Sequence, residues 1–403
     1  MRSIELRDCC YFLSGGTPTK ANADYWKGSI PWYSPKDIKT FELIDSQDHI
    51  SEAAVDSSAT RKINPGTILV VGRSGILAHT FPVGVVRQSA TFNQDIKAIV
   101  PMTGYDSEFL ALFLKSQESL VLSTGVKIGP TVHSLRTGFI EALTIPVIDL
   151  HDQIRFGTQL KSQLTAVQEA REAARAQLSE VRRLKTQALH QIFSNIKATS
   201  AIGEVARVQS GYAFKSQTFQ KHGVRLLRNA NISPGRVYWD DAVFLMLTEA
   251  ASFGSYELHE GNVLISLDRP IISSGIKVAR VSAVDLPALL VQRVGRFQID
   301  ETRLNPDYLY AYLQTHAFIE AITGHEQSLG VPHISPGQIE KIEIPLPDID
   351  EQKRLAKILI DIANYTSEAQ AAAERQLRDI ELLPSRLLAH AFDKLNLQVA
   401  EHG

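Results

Sequence analysis

Apolar residues fall at three- and four-residue steps along two long stretches of this chain. In the first, Leu160, Leu164, Val167, Ala174, Leu178, Val181, Leu184, Ala188 and Ile192 make the stripe; in the second, Leu355, Leu359, Ile362, Ala369, Ala373, Leu377, Ile380, Leu383, Leu387 and Ala391 do. Charged residues occupy the opposite faces, and so narrow a stripe predicts a coiled-coil seam rather than a helix sunk in a large core. Pro384 lies inside the second stripe, lacks an N–H, and predicts a kink or break. Elsewhere the apolar runs are short: Thr67–Val71, Val83–Val86, Asn262–Ile265 and Leu289–Val291, bounded by Pro65-Gly66, Gly72, Pro82, Gly261 and Pro287, read as strands fed by tight turns. Each strand-rich stretch carries one short helix, 106 to 117 and 306 to 316. Asp106 or Ser107 caps the first, and Asn305-Pro306 supplies a cap and a first-turn proline for the second.

The pattern occurs twice, about 199 residues apart. Ile145-Pro146, Asp152-Gln153-Ile154-Arg155, Leu184, Leu189 and Phe193 return as Ile344-Pro345, Glu351-Gln352-Lys353-Arg354, Leu383, Leu388 and Phe392. Upstream, Phe109-Leu110 and Phe113-Leu114 answer to Tyr308-Leu309 and Tyr312-Leu313, and Ser14-Gly15 to Ser210-Gly211. A shared framework with differing loops is the signature of one architecture reading two different things. The repeat sets the boundaries: globular domains at 1–150 and 199–348, long helices at 151–198 and 349–395, and a tail at 396–403.

Composition changes the picture only in places. The 403 residues suffice for two cores, and no apolar run approaches the eighteen residues of a membrane span; with no apolar leader at the N-terminus, the expectation is a cytoplasmic protein. The cysteines, Cys9 and Cys10, are adjacent and read as buried structural residues. Net charge is −2, so any surface for nucleic acid must come from local placement of Lys and Arg. Residues 151 to 198 carry 8 basic against 4 acidic side chains, the one clearly cationic segment.

Hydrolytic, transfer and metal motifs are absent: there is no phosphate-binding Gly-rich loop ending in Lys-Ser or Lys-Thr, no His-Glu-x-x-His, no Gly-x-Ser-x-Gly and no zinc spacing of cysteines. Asn305-Pro306-Asp307-Tyr308 resembles an amino-methyltransferase motif only superficially, and the helix-cap reading takes precedence. Polar loops are the chemically suggestive part. Ser14-Gly15-Gly16-Thr17-Pro18-Thr19-Lys20 offers amides and hydroxyls suited to phosphate, with Thr17, Thr19 and Lys20 as candidates. Ser34 and Lys36 follow Trp32, whose own reading is an aromatic minicluster packing a turn. Arg225, Arg228, Asn229 and Asn231 sit at the equivalent place in the second half, where Arg and Asn suit guanine and adenine edges. A late loop supplies Lys127, Thr131 and His133 in one half and His333 in the other, the stretch 124–133 aligning with 328–335. Arg73, Lys215 and Arg269 complete the candidates.

Taken in order, these features resemble the DNA-specificity subunit of type I restriction-modification systems. The residues that carry the resemblance are Ser14-Gly15-Gly16-Thr17-Pro18, Tyr25-Trp26, Ile30-Pro31-Trp32 with Lys36-Asp37-Ile38, Ile145-Pro146 with Asp152-Gln153-Ile154-Arg155, and the echo ending in Glu351-Gln352-Lys353-Arg354. The second half departs from the pattern in having Ser210-Gly211-Tyr212-Ala213-Phe214-Lys215. The resemblance implies an α+β fold: two similar mixed target-recognition domains, separated by two long antiparallel coiled-coil helices in a pseudo-twofold tandem repeat. It implies a non-catalytic subunit that reads a bipartite double-stranded DNA target, one half per domain. It also implies two methyltransferase subunits as partners, restriction subunits in the larger enzyme, and no cofactor of its own, with S-adenosylmethionine, ATP and magnesium belonging to those partners. Two other readings are a coiled-coil adaptor joining protein-binding modules without DNA, and a specificity subunit of a methyltransferase system lacking a restriction subunit. A methyltransferase or nuclease acting alone is opposed by the missing cofactor motif.

Overall fold

The computed structural model describes residues 3–323 and 333–401. Residues 328–332, expected to form part of the second late loop, lie outside the described residues. Backbone contacts divide the chain into two units, Met1–Ala174 with Gln376–Gly403, and Arg175–Arg375.

In the first unit, β1 (Cys10–Ser14), β2 (Glu42–Leu43), β3 (Ile68–Val71), β4 (Val83–Val86) and β5 (Ile96–Pro101) form a sheet in the order β1-β5-β3-β4-β2. All neighbours are antiparallel except β2 and β4. β3 is apolar at every position because it is covered on both faces: Ile68, Leu69, Val70 and Val71 are all 0% exposed. In the second unit, β6 (Ala206–Ser210), β7 (Val263–Ser266), β8 (Val278–Arg280) and β9 (Val294–Ile299) repeat the arrangement as β6-β9-β7-β8, antiparallel throughout. The Ile-Pro dipeptides close each domain. Thr144–Pro146 pairs with Ser3–Glu5, and Glu343–Pro345 with Thr199–Ala201, with Ile145 and Ile344 buried beneath.

Four helices hold these sheets in place: α1 (Ser107–Ser116), α2 (Leu150–Ser194), α3 (Pro306–Tyr312) and α4 (Ile349–Glu401). Asp106 caps α1 by accepting the Phe109 amide at 2.8 Å, and Asn305 caps α3 by accepting those of Asp307 and Tyr308 at 3.0 Å each. The expected helix over 306–316 is two pieces. α3 stops at Tyr312, and the buried Thr315 hydroxyl accepts the Phe318 amide to start His316–Thr323.

The long helices have 45 and 53 residues, so they span about 68 and about 80 Å at 1.5 Å per residue. The break expected at Pro384 is not found: α4 is continuous through it and takes in residues expected as a tail. Proline's φ fits a helix and removes one ladder bond, while Ile380, Leu388 and Phe392 on either side are buried in the first unit. The seams also differ from the predicted stripes, because Leu184 is 50% and Leu383 38% exposed and Ala369 faces solvent. Within the first unit the helices run antiparallel, Phe156 meeting Phe392 at 5.0 Å and Arg171 meeting Glu381 at 3.6 Å. The second unit is built likewise, with Arg182 at 3.4 Å from Glu374 and Leu189 in the same core as Leu355 and Leu359.

Each globular domain is gripped by both helices. Gln153, 2% exposed, accepts the Asp106 amide at 2.9 Å and donates to the carbonyls of Ile148 and Gly104. Gln352, 0% exposed, does the same with Asn305, Pro347 and Arg303. From the other long helix of each unit, Phe392 packs on Phe109 and Phe113, and Phe193 on Tyr308 and Tyr312. In the first unit, Lys161 of α2 joins Glu42, Arg87 and Glu108 in a charge network.

Both grips are open to test. Replacing Phe392 with Ala removes about 3–5 kcal/mol from the first unit, and Phe193→Ala the same from the second; hydrogen exchange should show α1 loosened by the former and α3 by the latter. The Arg87 hydrogen bond, with Lys161 adding to it, holds the Glu42 carboxyl below its ordinary range. Its folded pKa therefore lies below the unfolded one, so its stabilisation is complete above about pH 4.3 and is lost as pH falls through the folded value. Glu42 is 35% exposed, so the effect is modest. Glu42→Gln should flatten the acid limb of a melting-temperature profile and leave the neutral plateau lower.

Candidate nucleic-acid interface

Some sequence candidates follow the sheet strands, Thr17, Thr19 and Lys20 after β1, Arg73 after β3, Lys215 after β6 and Arg269 after β7, while the others lie on separate short strands and turns. In the first unit Ser74 and Arg73, just beyond β3, pair with His133 and Ser134, and on the other side Ser134 and Leu135 pair with Lys127 and Val126. This places Arg73, Lys127 and His133 on one small three-stranded sheet, with the Thr131 carbonyl 3.7 Å from the Cβ position of Gly75. The loop after β1 reaches the same region: the Thr17 hydroxyl bonds Gln94 at 2.5 Å, Lys97 donates to Ser14 at 2.6 Å, and Asp95 lies 3.8 Å from Arg73. Thr17, Thr19 and Lys20 are exposed. Trp32, 5% exposed, donates its indole N–H to Gly16 O at 3.0 Å and meets Trp26 edge-on at 5.0 Å; Trp26 in turn donates to Thr19 O. The tryptophans shape the loop, and Thr17, Thr19 and Lys20 are what it presents.

Other candidates are placed elsewhere. Ser34 is 8% exposed and bonds Asp37 through both its amide and its hydroxyl, so it caps a turn instead of facing a ligand. Lys36 pairs with Asp48 at 2.8 Å. In the second unit Asn231 is 1% exposed; its oxygen takes the Arg228 amide and its nitrogen the carbonyls of Tyr238 and Asp241. With both ends of its amide engaged, it builds the turn and offers no edge to a base. Arg228 pairs with Asp241 at 2.9 Å, and Arg225 donates to Val284 O and lies 5.2 Å from the Trp239 ring. Lys215 is exposed beyond Phe214.

Asn229 belongs to a connected group. Its side-chain oxygen accepts from Ser266 and from buried Lys277, whose ammonium burial pushes below its ordinary range. The Ser266 hydroxyl continues to Asp268 O at 2.6 Å, Asp268 pairs with Arg293 at 3.0 Å, and His333 bridges Asp268 through its backbone. Arg269 is exposed beside them. Leu135 donates to Gly72 O as Ile334 does to Leu267 O, so within the two related loops His333 matches Ser134.

Sequence reasoning missed Gln94, Asp95, Asp268 and Arg293. Gln94 and Asp95 stand just before β5, Asp268 just after β7 and Arg293 just before β9, and nothing in their own type marks them. Among the described residues there is no cluster of three or more His, Cys, Asp or Glu able to hold a metal, and no helix long and apolar enough to cross a membrane.

A family model described as the type I restriction modification DNA specificity domain matches residues 1–169 and 196–377, and the chain belongs to that family. Over 154 residues, 38% of the chain, it is 43% identical to the type I restriction enzyme EcoAI specificity subunit of Escherichia coli. Over 161 residues, 40% of the chain, it is 32% identical to the MjaVIII specificity subunit of Methanocaldococcus jannaschii. The matched stretches span 26% and 38% of those relatives' own lengths. The fold is that of a solved chain described under "Structural basis underlying complex assembly and conformational transition of the type I R-M system", with a TM-score of 0.76 and 16% identity over 97% of both chains.

The tryptophan arrangement carries its own expectation. Trp32→Phe keeps the apolar packing and removes the indole N–H. Amide exchange in residues 14–20 should accelerate several-fold while the melting temperature moves by no more than a few degrees, the cost of about 1 kcal/mol for one hydrogen bond.

Proposed function

We propose that this chain is the DNA-reading subunit of a type I restriction-modification enzyme, each globular domain recognising one half of a bipartite double-stranded target. The observation that carries the reading is the repeated scaffold with unlike loops, in a chain of the specificity-domain family. The same clamps and sheets recur in both units, while Arg73, Lys127 and His133 on one side and Asp268, Arg269, Arg293 and Asn229 on the other present different chemistry. Of the sequence candidates, Thr17, Thr19, Lys20, Arg73, Lys127, Thr131, His133, Lys215, Arg269 and His333 remain contacts for backbone or bases; Asn229 shapes the second surface from beneath. The chain supplies no methyl transfer or cleavage itself. Two methyltransferase subunits bring S-adenosylmethionine, and restriction subunits, where present, bring ATP and magnesium chemistry. The work is done in the cytoplasm, where the DNA is.

Leu184 and Leu383 support a docking role for the helices, because matching positions of the repeat keep a leucine that its own unit leaves exposed.

The test is co-expression with the cognate methyltransferase subunit, then sequencing of methylated DNA. One specificity chain with two methyltransferases should modify a split sequence with a fixed unspecified spacer. Methylation by the purified chain alone would sink the assignment. Leu184→Glu with Leu383→Glu should cut methyltransferase co-purification at least tenfold while the melting temperature holds. A heptad added to each long helix, near Ala174 and Ala373, lengthens each by about 10 Å, close to three base pairs. The spacer should lengthen or activity disappear, and full activity at the old spacing would show that the helices do not set it.

A further inference from the structure

The two units contain the same ion pair with its charges exchanged. The second residue beyond β3 is Arg73 and the residue before β5 is Asp95; the second residue beyond β7 is Asp268 and the residue before β9 is Arg293. The positions correspond, because Gly72 donates to Asp95 O at 2.7 Å and Leu267 to Arg293 O at 2.9 Å. In both pairs the carboxylate is the covered partner, at 28% and 27% exposed, and the arginine the open one, at 66% and 63%. The backbone singles out the second pair. Among the described residues, Arg269 and Arg293 are the non-glycine positions with positive φ, at 48° and 68°, and they flank Asp268 in space. Such a conformation is unfavourable for a bulky side chain and persists where the surroundings impose it.

We propose that Arg293 is a specificity-determining residue that reads a guanine through the major groove, that Asp268 is the positioning residue that aims it, and that Arg73 with Asp95 does the same in the other half. This rests on the DNA-recognition reading above. A guanidinium backed by a carboxylate is nearly neutral as a pair and makes a poor phosphate clamp, since the carboxylate repels the phosphate. It remains a planar fork with five N–H donors, more than one carboxylate oxygen engages, and its geometry matches the O6 and N7 of guanine. Arg293 donates to Asp268 through Nη1, which fixes the plane of the fork before DNA arrives. Moving the arginine from one loop to the other leaves the local charge sum and both loop hydrogen bonds unchanged while shifting where the guanine must lie.

The experiment uses the full chain assembled with its methyltransferase subunits, with methylated host DNA sequenced as the readout. Arg293→Gly suits the positive φ and should keep the fold at least as stable as the wild type. It should accept any base at one position of one half-site where the wild type demands guanine, the preference falling about tenfold to a hundredfold, with the other half-site untouched. Arg293→Lys should relax the same position while keeping overall affinity. Asp268→Asn should relax it partially, with rescue by Asp268→Glu, and Arg73→Gly should relax a guanine in the other half-site. Where methylation is too slow to score, competition among random-sequence duplexes for the assembled complex reads the same preference. Unchanged base preference in Arg293→Gly overturns the proposal, and so does a uniform loss across all sequences in that variant, which marks a phosphate contact. A wild-type complex with no sequence preference would instead remove the DNA-recognition reading beneath it.

Discussion

A buried glutamine amide in each unit fixes where a long helix meets a globular domain, and the rest of the architecture depends on that junction. Gln153 and Gln352 each sit in the first turn of a long helix and satisfy three backbone groups, one at the cap of the short helix and two in the flanking turns. A buried amide or carbonyl left unpaired costs about 1–3 kcal/mol. No other side chain has both a donor and an acceptor at that reach with no charge to desolvate. This explains why the Gln persists in both copies while the residues on either side of it change from Asp152 and Ile154 to Glu351 and Lys353. The aromatic grip from the other helix then needs only apolar volume, and Phe392 against phenylalanines serves as well as Phe193 against tyrosines.

With the domain held at both sides, the sheet becomes a rigid mount. β3 and β7 are buried, and their ends define the loops. Function sits where the scaffold stops constraining sequence, since a loop residue at the end of a buried strand is precise in position and free in identity. The acidic balance of the chain is no obstacle to such a surface. At the ends of the central strands the charges are arranged in two pairs, Arg73 with Asp95 and Arg293 with Asp268, whose exposed member is the arginine.

Much of the scaffold was legible in the sequence because it rests on local rules. The long helices follow from periodicity, the caps at Asp106 and Asn305 from residue type, and the domain-closing strands from the Ile-Pro repeats. What was not legible depends on tertiary contact. Pro384 reads as a break, but buried neighbours on both sides carry the helix through it. Leu184 and Leu383 read as seam residues, and packing within each unit leaves them turned outward. Thr315 splits a helix by burying its hydroxyl, which periodicity does not register. Among the candidate residues, Ser34, Arg228 and Asn231 have the right chemistry for DNA and spend it on their own turns. Asp268 and Arg293 drew no notice, because their pairing spans 25 residues and a positive φ at arginine has no signature in composition.

The exchanged ion pair shows how a duplicated scaffold diverges without being rebuilt. Both loops keep their backbone bond, so the strands keep their register; both keep one cation and one anion, so the local charge sum is conserved. The identity of the donor loop changes, and with it the direction from which a guanidinium is presented. A substitution of one charge alone would leave two like charges facing each other and destabilise the mount. A paired exchange avoids that penalty, which makes this position one where recognition changes at little cost to the fold.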